Sequence, residues 1–341
     1  MTLKKEKINI LFKFWLTSSL ILVFLIIIVG GLTRLTNSGL SIIEWELFKG
    51  ILPPLNDYTW NLYFEKYKTI PQYKILNSNM SLDEFKTIFY WEYYHRVLAR
   101  IIGLFFLLPL IFFYFSKKIN NEYLKICLLI FLLIIFQGFL GWYMVKSGLV
   151  NDITVSHYRL SLHLSFAIII ISIIFWLLKN VLENKNKLFL KISKNYLPYQ
   201  FLLLIIFIQI VIGAFVSGLD AGKIYQTWPL MGDSFVPNDL IIYSFLQIIE
   251  FDNHSLVQFY HRNLAYIIIL YVFFLTIFIY KKKFLQLYRP LKLLIFFLFF
   301  QATLGILTLI SDLNIYLALT HQITSVLLVF SALNLYYFRV K

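Results

Sequence analysis

Residues 199–222 read YQFLLLIIFIQIVIGAFVSGLDAG. About the first twenty carry no charge, which is the length and composition of a helix that crosses a bilayer. Lipid offers no partner to an unpaired backbone group, so a spanning segment is a helix or a strand of a closed barrel. The run lacks the period-2 alternation of a barrel strand. The same stretch ends in a pattern met earlier in the chain. Gly213-Ala214-Phe215-Val216-Ser217-Gly218-Leu219-Asp220-Ala221-Gly222 aligns without gaps with Gly30-Gly31-Leu32-Thr33-Arg34-Leu35-Thr36-Asn37-Ser38-Gly39.

Working outward, Trp45 meets Trp228 and Pro54 meets Pro237 at the same offset. Tyr94-His95-Arg96 then meets Tyr260-His261-Arg262, residues 136–141 meet residues 300–305, and Leu162-His163 meets Thr320-His321. The chain is therefore an internal repeat. Eight stretches qualify as spans of roughly 20 apolar residues: about 14–34, 92–115, 124–145, 159–179, 199–219, 258–280, 291–311 and 318–338. Four fall in each half. An even number returns the chain to its starting side, so the halves share one orientation, as in parallel repeats related by an axis along the membrane normal. The expected fold is an all-α polytopic membrane protein whose eight transmembrane helices form two four-helix bundles related by a pseudo-twofold axis. The expected units are residues 1–180, a basic cytoplasmic linker 181–198, and residues 199–341.

Composition agrees. Of 341 residues, 60% are hydrophobic and 14% charged, and the mean hydropathy is +0.76, which excludes a soluble globular enzyme and a disordered chain. The net charge of +14 does not signal nucleic acid, because Lys and Arg sit in short gaps between apolar runs. Lys4, Lys5, Lys7 and Lys13 precede the first span, and Lys117 and Lys118 follow the second. Five lysines between 179 and 194 follow the fourth, Lys281, Lys282, Lys283 and Arg289 follow the sixth, and Arg339 and Lys341 end the chain. All fall on one side, which the positive-inside rule makes cytoplasmic. Both termini are then inside, and the long connections at about 35–91 and 220–257 are outside, where their Trp, Pro and apolar residues suit ordered caps. The N-terminal run is too long for a cleaved signal peptide and reads as an uncleaved first span. The single cysteine, Cys127, rules out an intrachain disulfide or a multi-cysteine metal site.

Four of the six histidines lie in spans, and the repeat makes them two equivalent couples: His95 with His163, and His261 with His321. Each lies near the outer end of its helix. Helices two apart can lie diagonally across a bundle, and two inward imidazoles at matched depth are what bis-histidine haem ligation needs. A lone intramembrane histidine is more often a packing residue; four in register are not easily read that way. His157 and His254 have no repeat partner and read as loop histidines. Arg96, Arg262, Arg34 and Arg100 lie near outer helix ends, where charge beside lipid needs a partner, and are expected to hold haem propionates; Arg159 suits propionate or headgroup equally. Glu92 shares a helix face with His95, while its counterpart Gln258 has no charge, so the first half is expected to be reactive and the second to hold a haem. The competing reading of Glu92 is a helix pair with Arg96. Gly138, Gly141 and Gly305 are expected mainly to let helices pack closely.

These residues resemble the haem A synthase family, in its proteobacterial and mitochondrial-type branch. The similarity rests on residues 30–41 (GGLTRLTNSGLS), Glu92-Tyr93-Tyr94-His95-Arg96, residues 158–164 (YRLSLHL) and residues 225–232 (YQTWPLMG), and it covers nearly the whole chain. It implies that haem O is the substrate, its C8 methyl group oxidised to the formyl group of haem A. It also implies His95 and His163 on the substrate haem with Glu92 nearby, and His261 and His321 on a permanent haem b. It places the protein in a bacterial inner membrane with the haem sites toward the outer face. A haem O synthase, an electron acceptor and a second copy of the chain are candidate partners. Some family members carry an outer-loop cysteine pair; this chain does not, so a thiol step is not transferred to it. Two other readings compete: a dihaem electron-transfer subunit resembling cytochrome b, and a transporter built from parallel repeats.

Overall fold

In the computed structural model, residues 10–44, 49–149, 152–241 and 244–340 are described. Lys4, Lys5, Lys7, Trp45 and Lys341, used above, lie outside them. Among the described residues there are eight helices long and apolar enough to cross a membrane, and no strand. The chain is a multi-pass membrane protein. In chain order the helices are α1 (Ile10–Leu35), α2 (Asp57–Tyr67), α3 (Pro71–Leu76), α4 (Leu82–Ser116), α5 (Asn121–Gly148), α6 (His157–Glu183), α7 (Leu197–Gly218), α8 (Phe245–Ile248), α9 (His254–Lys281), α10 (Tyr288–Ile310) and α11 (Ile315–Arg339).

Four membrane helices, α4, α5, α9 and α11, start ahead of the predicted spans at polar N-caps that lie outside the apolar run. Asn120, Asn253 and Asn314 accept bonds from the first free backbone N–H groups of α5, α9 and α11. The largest departure is α4, which begins ten residues ahead of the predicted span. Ser81 and Glu84 form a reciprocal capping box at its start. Its 35 residues span about 52 Å, against a hydrocarbon core of about 30 Å. The surplus carries Phe85 and Phe89 into the connection between α1 and α4, where they bury with Trp60, Phe64 and Tyr67 of α2. The connection between α1 and α4 is thus a small helical cap with its own aromatic core.

Within the first half α1 packs on α4, α4 on α5, α5 on α6, and α6 back on α1. In the second half α7, α9, α10 and α11 close a ring in the same order. Across the halves, α6 packs on α7 and α11, and α1 on α11. The four helices α1, α6, α7 and α11 are therefore central, and α4, α5, α9 and α10 face outward. Half of the most apolar window of α6 is buried inside the protein, against 17% for α5 and α10.

Candidate functional site

Each ring of helices brings one histidine couple together. His95 on α4 and His163 on α6 have ring centroids 6.5 Å apart, with planes inclined at 63°. His261 on α9 and His321 on α11 have centroids 6.5 Å apart, inclined at 79°. Both couples sit on diagonal helices of their rings. An iron bound by two imidazole nitrogens at about 2 Å each, with about 1.1 Å from nitrogen to ring centre, sets centroids roughly 6 Å apart. The separation suits a shared iron in both halves.

The surroundings suit it too. A Cβ added to Gly30 of α1 would meet His95 at 3.2 Å, and one on Gly141 of α5 would meet His163 at 3.2 Å. The same holds for Gly213 of α7 against His261 at 3.0 Å and Gly305 of α10 against His321 at 2.9 Å. Each imidazole thus rests on a glycine of the neighbouring helix. At Gly141 and Gly305, the expected close approach of helices is in fact close approach to a ring; Gly138 has nothing within 4 Å. The Nδ1 atoms of His163 and His261 are buried without a hydrogen-bond partner in the structure. Among the described residues no three of His, Cys, Asp and Glu converge as a metal cage, so the donor set is two imidazoles per site. On these observations the residues present fit haem.

Three glutamines escaped the sequence reading as functional residues. Gln137 Nε2 donates to the carbonyl of His163 at 2.9 Å, and Gln209 Nε2 donates to that of His261 at 2.9 Å. Gln301 presents its carbonyl to His321 Nδ1 at 3.2 Å, and its side chain accepts from Thr324 Oγ1. The signal was present: each glutamine lies four residues before one of the glycines that back an imidazole, on the same helix face.

Glu92 is 3% exposed and fully engaged. Its Oε1 accepts from Arg96 Nε at 3.0 Å and from Arg96 Nη2; its Oε2 accepts from Ser41 Oγ at 2.7 Å and Ile42 N at 2.9 Å. The helix pair with Arg96 therefore exists, and it extends into the connection that follows α1, where Arg96 Nη2 also donates to the Ile42 carbonyl at 2.7 Å. The second half repeats the device without the acid. Gln258 Nε2 and Arg262 Nη2 donate to the Tyr225 carbonyl at 2.9 and 2.8 Å, and Arg262 Nη1 to that of Thr227 at 2.9 Å. Both polar pairs flank a couple's histidine and fasten the connecting chain beside it. Arg100 donates to the Gly50 carbonyl at 3.2 Å. Arg34 reaches across the halves: it pairs with Asp220 at 3.0 Å and donates to the Ser217 carbonyl at the end of α7.

His157 and His254 are not loop residues but the first residues of α6 and α9, since the helices start early. His157 lies against Gly218, with Nε2 3.2 Å from Asp252 Oδ1, and so belongs to the contact between halves.

Comparison with known proteins follows the same outline. Residues 13–333 match a family described as cytochrome oxidase assembly protein. Relatives include a haem A synthase of Pelagibacter ubique, 49% identical over 329 residues that cover 94% of each chain. A haem A synthase of Flavobacterium psychrophilum is 42% identical over 90% of this chain and 92% of its own, and one of Rickettsia canadensis is 41% identical over 96% and 97%.

Proposed function

The chain belongs to the cytochrome oxidase assembly protein family, and from that membership we propose that it is a haem A synthase, an oxidoreductase that converts haem O to haem A. The observation that carries the proposal is the pair of imidazole couples, each with centroids 6.5 Å apart and each backed by glycines, in a chain alike those enzymes nearly end to end. When bound, the haem iron supplies the oxidising chemistry by which the C8 methyl group of haem O becomes a formyl group.

The protein's own part is ligation, orientation and charge. His95 and His163 hold the substrate, and His261 and His321 hold a resident haem b. The assignment of halves rests on Glu92. Its neutral counterpart Gln258 also fastens the outer chain, so fastening alone does not call for a carboxylate. A carboxylate buried beside the first couple is a group that can take or return a proton when its partners shift. Arg96, Arg100 and Arg262, with Arg34 between the halves, provide the cationic outer rim that porphyrin propionates need. The outward-facing α4 and α5 leave the substrate's farnesyl tail a route in lipid. The basic connections put both termini on the cytoplasmic side and both couples toward the outer face of the bacterial inner membrane. A haem O synthase upstream and an electron acceptor are the partners this chemistry requires.

The test is extraction and mass analysis of haems from purified protein, wild type beside His95→Ala, His261→Ala and Glu92→Gln. His95→Ala is expected to lose haem O and haem A, and His261→Ala to lose haem b. Glu92→Gln is expected to keep haem O while the yield of haem A falls about a hundredfold, the lower end of what a positioned acid or base contributes. Two exchange-inert haems of one type would instead establish a cytochrome b-like carrier.

A further inference from the structure

The four imidazole seats are not equivalent. In three of them a glutamine stands one helical turn before the backing glycine: Gln137 before Gly141, Gln209 before Gly213, Gln301 before Gly305. Two of these amides bond the histidine's own carbonyl at 2.9 Å, and the third side chain lies with its Nε2 3.4 Å from His321 Nε2. At the fourth seat the residue one turn before Gly30 is Ile26, which has no polar group to offer. The ring there is also turned. The glycines at 141, 213 and 305 face the Cε1 atoms of their histidines, whereas Gly30 faces His95 Nε2 at 3.2 Å and Cδ2 at 3.5 Å. His95 on α4, like His261 on α9, lies on an outward-facing helix with its partner on a central one, so what sets the His95 seat apart is the missing glutamine and the turned ring.

We propose that Gln137 and Gln209 are positioning residues whose amide–carbonyl bonds lock His163 and His261, that the backbone carbonyl of Gln301 holds His321 through Nδ1, and that Ile26 leaves His95 as the releasable ligand, so that substrate porphyrin enters and leaves on the His95 side. The inference rests on the ligand assignment proposed above. An amide–carbonyl bond between helices in lipid holds the depth of one helix against the other, since neither group finds water when it breaks. A synthase needs that lock at a resident haem and must do without it at one ligand of a haem exchanged every turnover.

The experiment mixes purified protein with excess apomyoglobin and follows transfer of each porphyrin by chromatography, so that haem O and haem b report the two halves separately. Wild type is expected to release haem O several-fold faster than haem b. Ile26→Gln is expected to slow haem O release about fivefold, the weight of one net hydrogen bond, with haem b unchanged. Gln209→Leu is expected to speed haem b release by a similar factor with haem O unchanged, and Gln137→Leu to speed haem O release. A merely structural role would loosen both porphyrins together, and that result overturns the proposal, as does release at wild-type rates in both Ile26→Gln and Gln209→Leu. If His95→Ala and His261→Ala left the content of both haems unaltered, the ligand assignment itself would fall instead.

Discussion

At the scale of single residues, the contrast between glycines on one kind of helix gives a sharp expectation. Gly305→Ala puts a methyl group 2.9 Å from His321 Cε1, closer than carbon atoms pack, so the imidazole must shift. Overpacking of this kind costs about 1–3 kcal/mol. We expect weakened haem b retention and a loss of low-spin absorbance. Gly138→Ala meets nothing within 4 Å and removes a helix-weakening glycine, so stability should hold or rise by up to about 1 kcal/mol. Thermal melts and haem content of the two purified variants check both halves of the contrast. The histidine couples were legible in the sequence because duplication placed them in register. The role of the glycines was legible only as smallness, since a residue without a side chain does not declare whether a helix or a ring lies against it. Gln209 was less legible still, because its repeat partner Ile26 breaks the pattern at the one place where the difference carries meaning.

At the scale of elements, α4 joins its membrane-spanning part to the cap built around α2. One helix carries the capping box at Ser81, the aromatic contacts of Phe85 and Phe89, the Glu92–Arg96 fastening and His95. The cap is therefore continuous with the seat of the first couple. Trp60 packs edge-on to Phe89 with centroids 5.0 Å apart and is 7% exposed. Trp60→Ala should cost the cap about 3–5 kcal/mol, as removal of a buried Trp does. We expect limited proteolysis to cut between residues 49 and 81 in this variant and not in wild type, with haem b content unaltered and haem O retention reduced. Equal loss of both haems would mean that the cap serves the whole molecule and not the first seat. The sequence indicated an ordered outer connection from its Trp and Pro residues. It hid the early start of α4, because composition marks where a run becomes apolar enough for lipid and a helix cap is set by a few polar atoms outside that run.

At the scale of the whole molecule, the number of spans was legible from hydropathy, but which of them are central was not. Lipid tails and neighbouring helices are equally apolar, so a central helix and a lipid-facing one carry similar composition. What distinguishes the centre is small and polar contact. Gly30 backs His95, and the next residue, Gly31, backs the Gln322 side chain, whose Nε2 donates to the Ile27 carbonyl at 3.0 Å. Gln322 in turn follows His321. Consecutive residues of α1 therefore touch one member of each couple's neighbourhood, and across the opposite seam Ser161 Oγ of α6 donates to the Val211 carbonyl of α7 at 3.1 Å, two residues from His163 and from Gly213. The halves meet through the seats themselves. A Cβ on Gly31 would fall onto the end of the Gln322 side chain, which can swing aside for a methyl but not for a branched group without losing its bond. Gly31→Leu should leave that amide unpaired in an apolar seam, at a cost of about 1–3 kcal/mol. We expect the absorbance of both haems to shift in this one variant, while Gly305→Ala shifts only the second. Spectra of the two purified variants decide it: a Gly31→Leu protein altered in one haem alone would show that the halves work as separate bundles that happen to be joined.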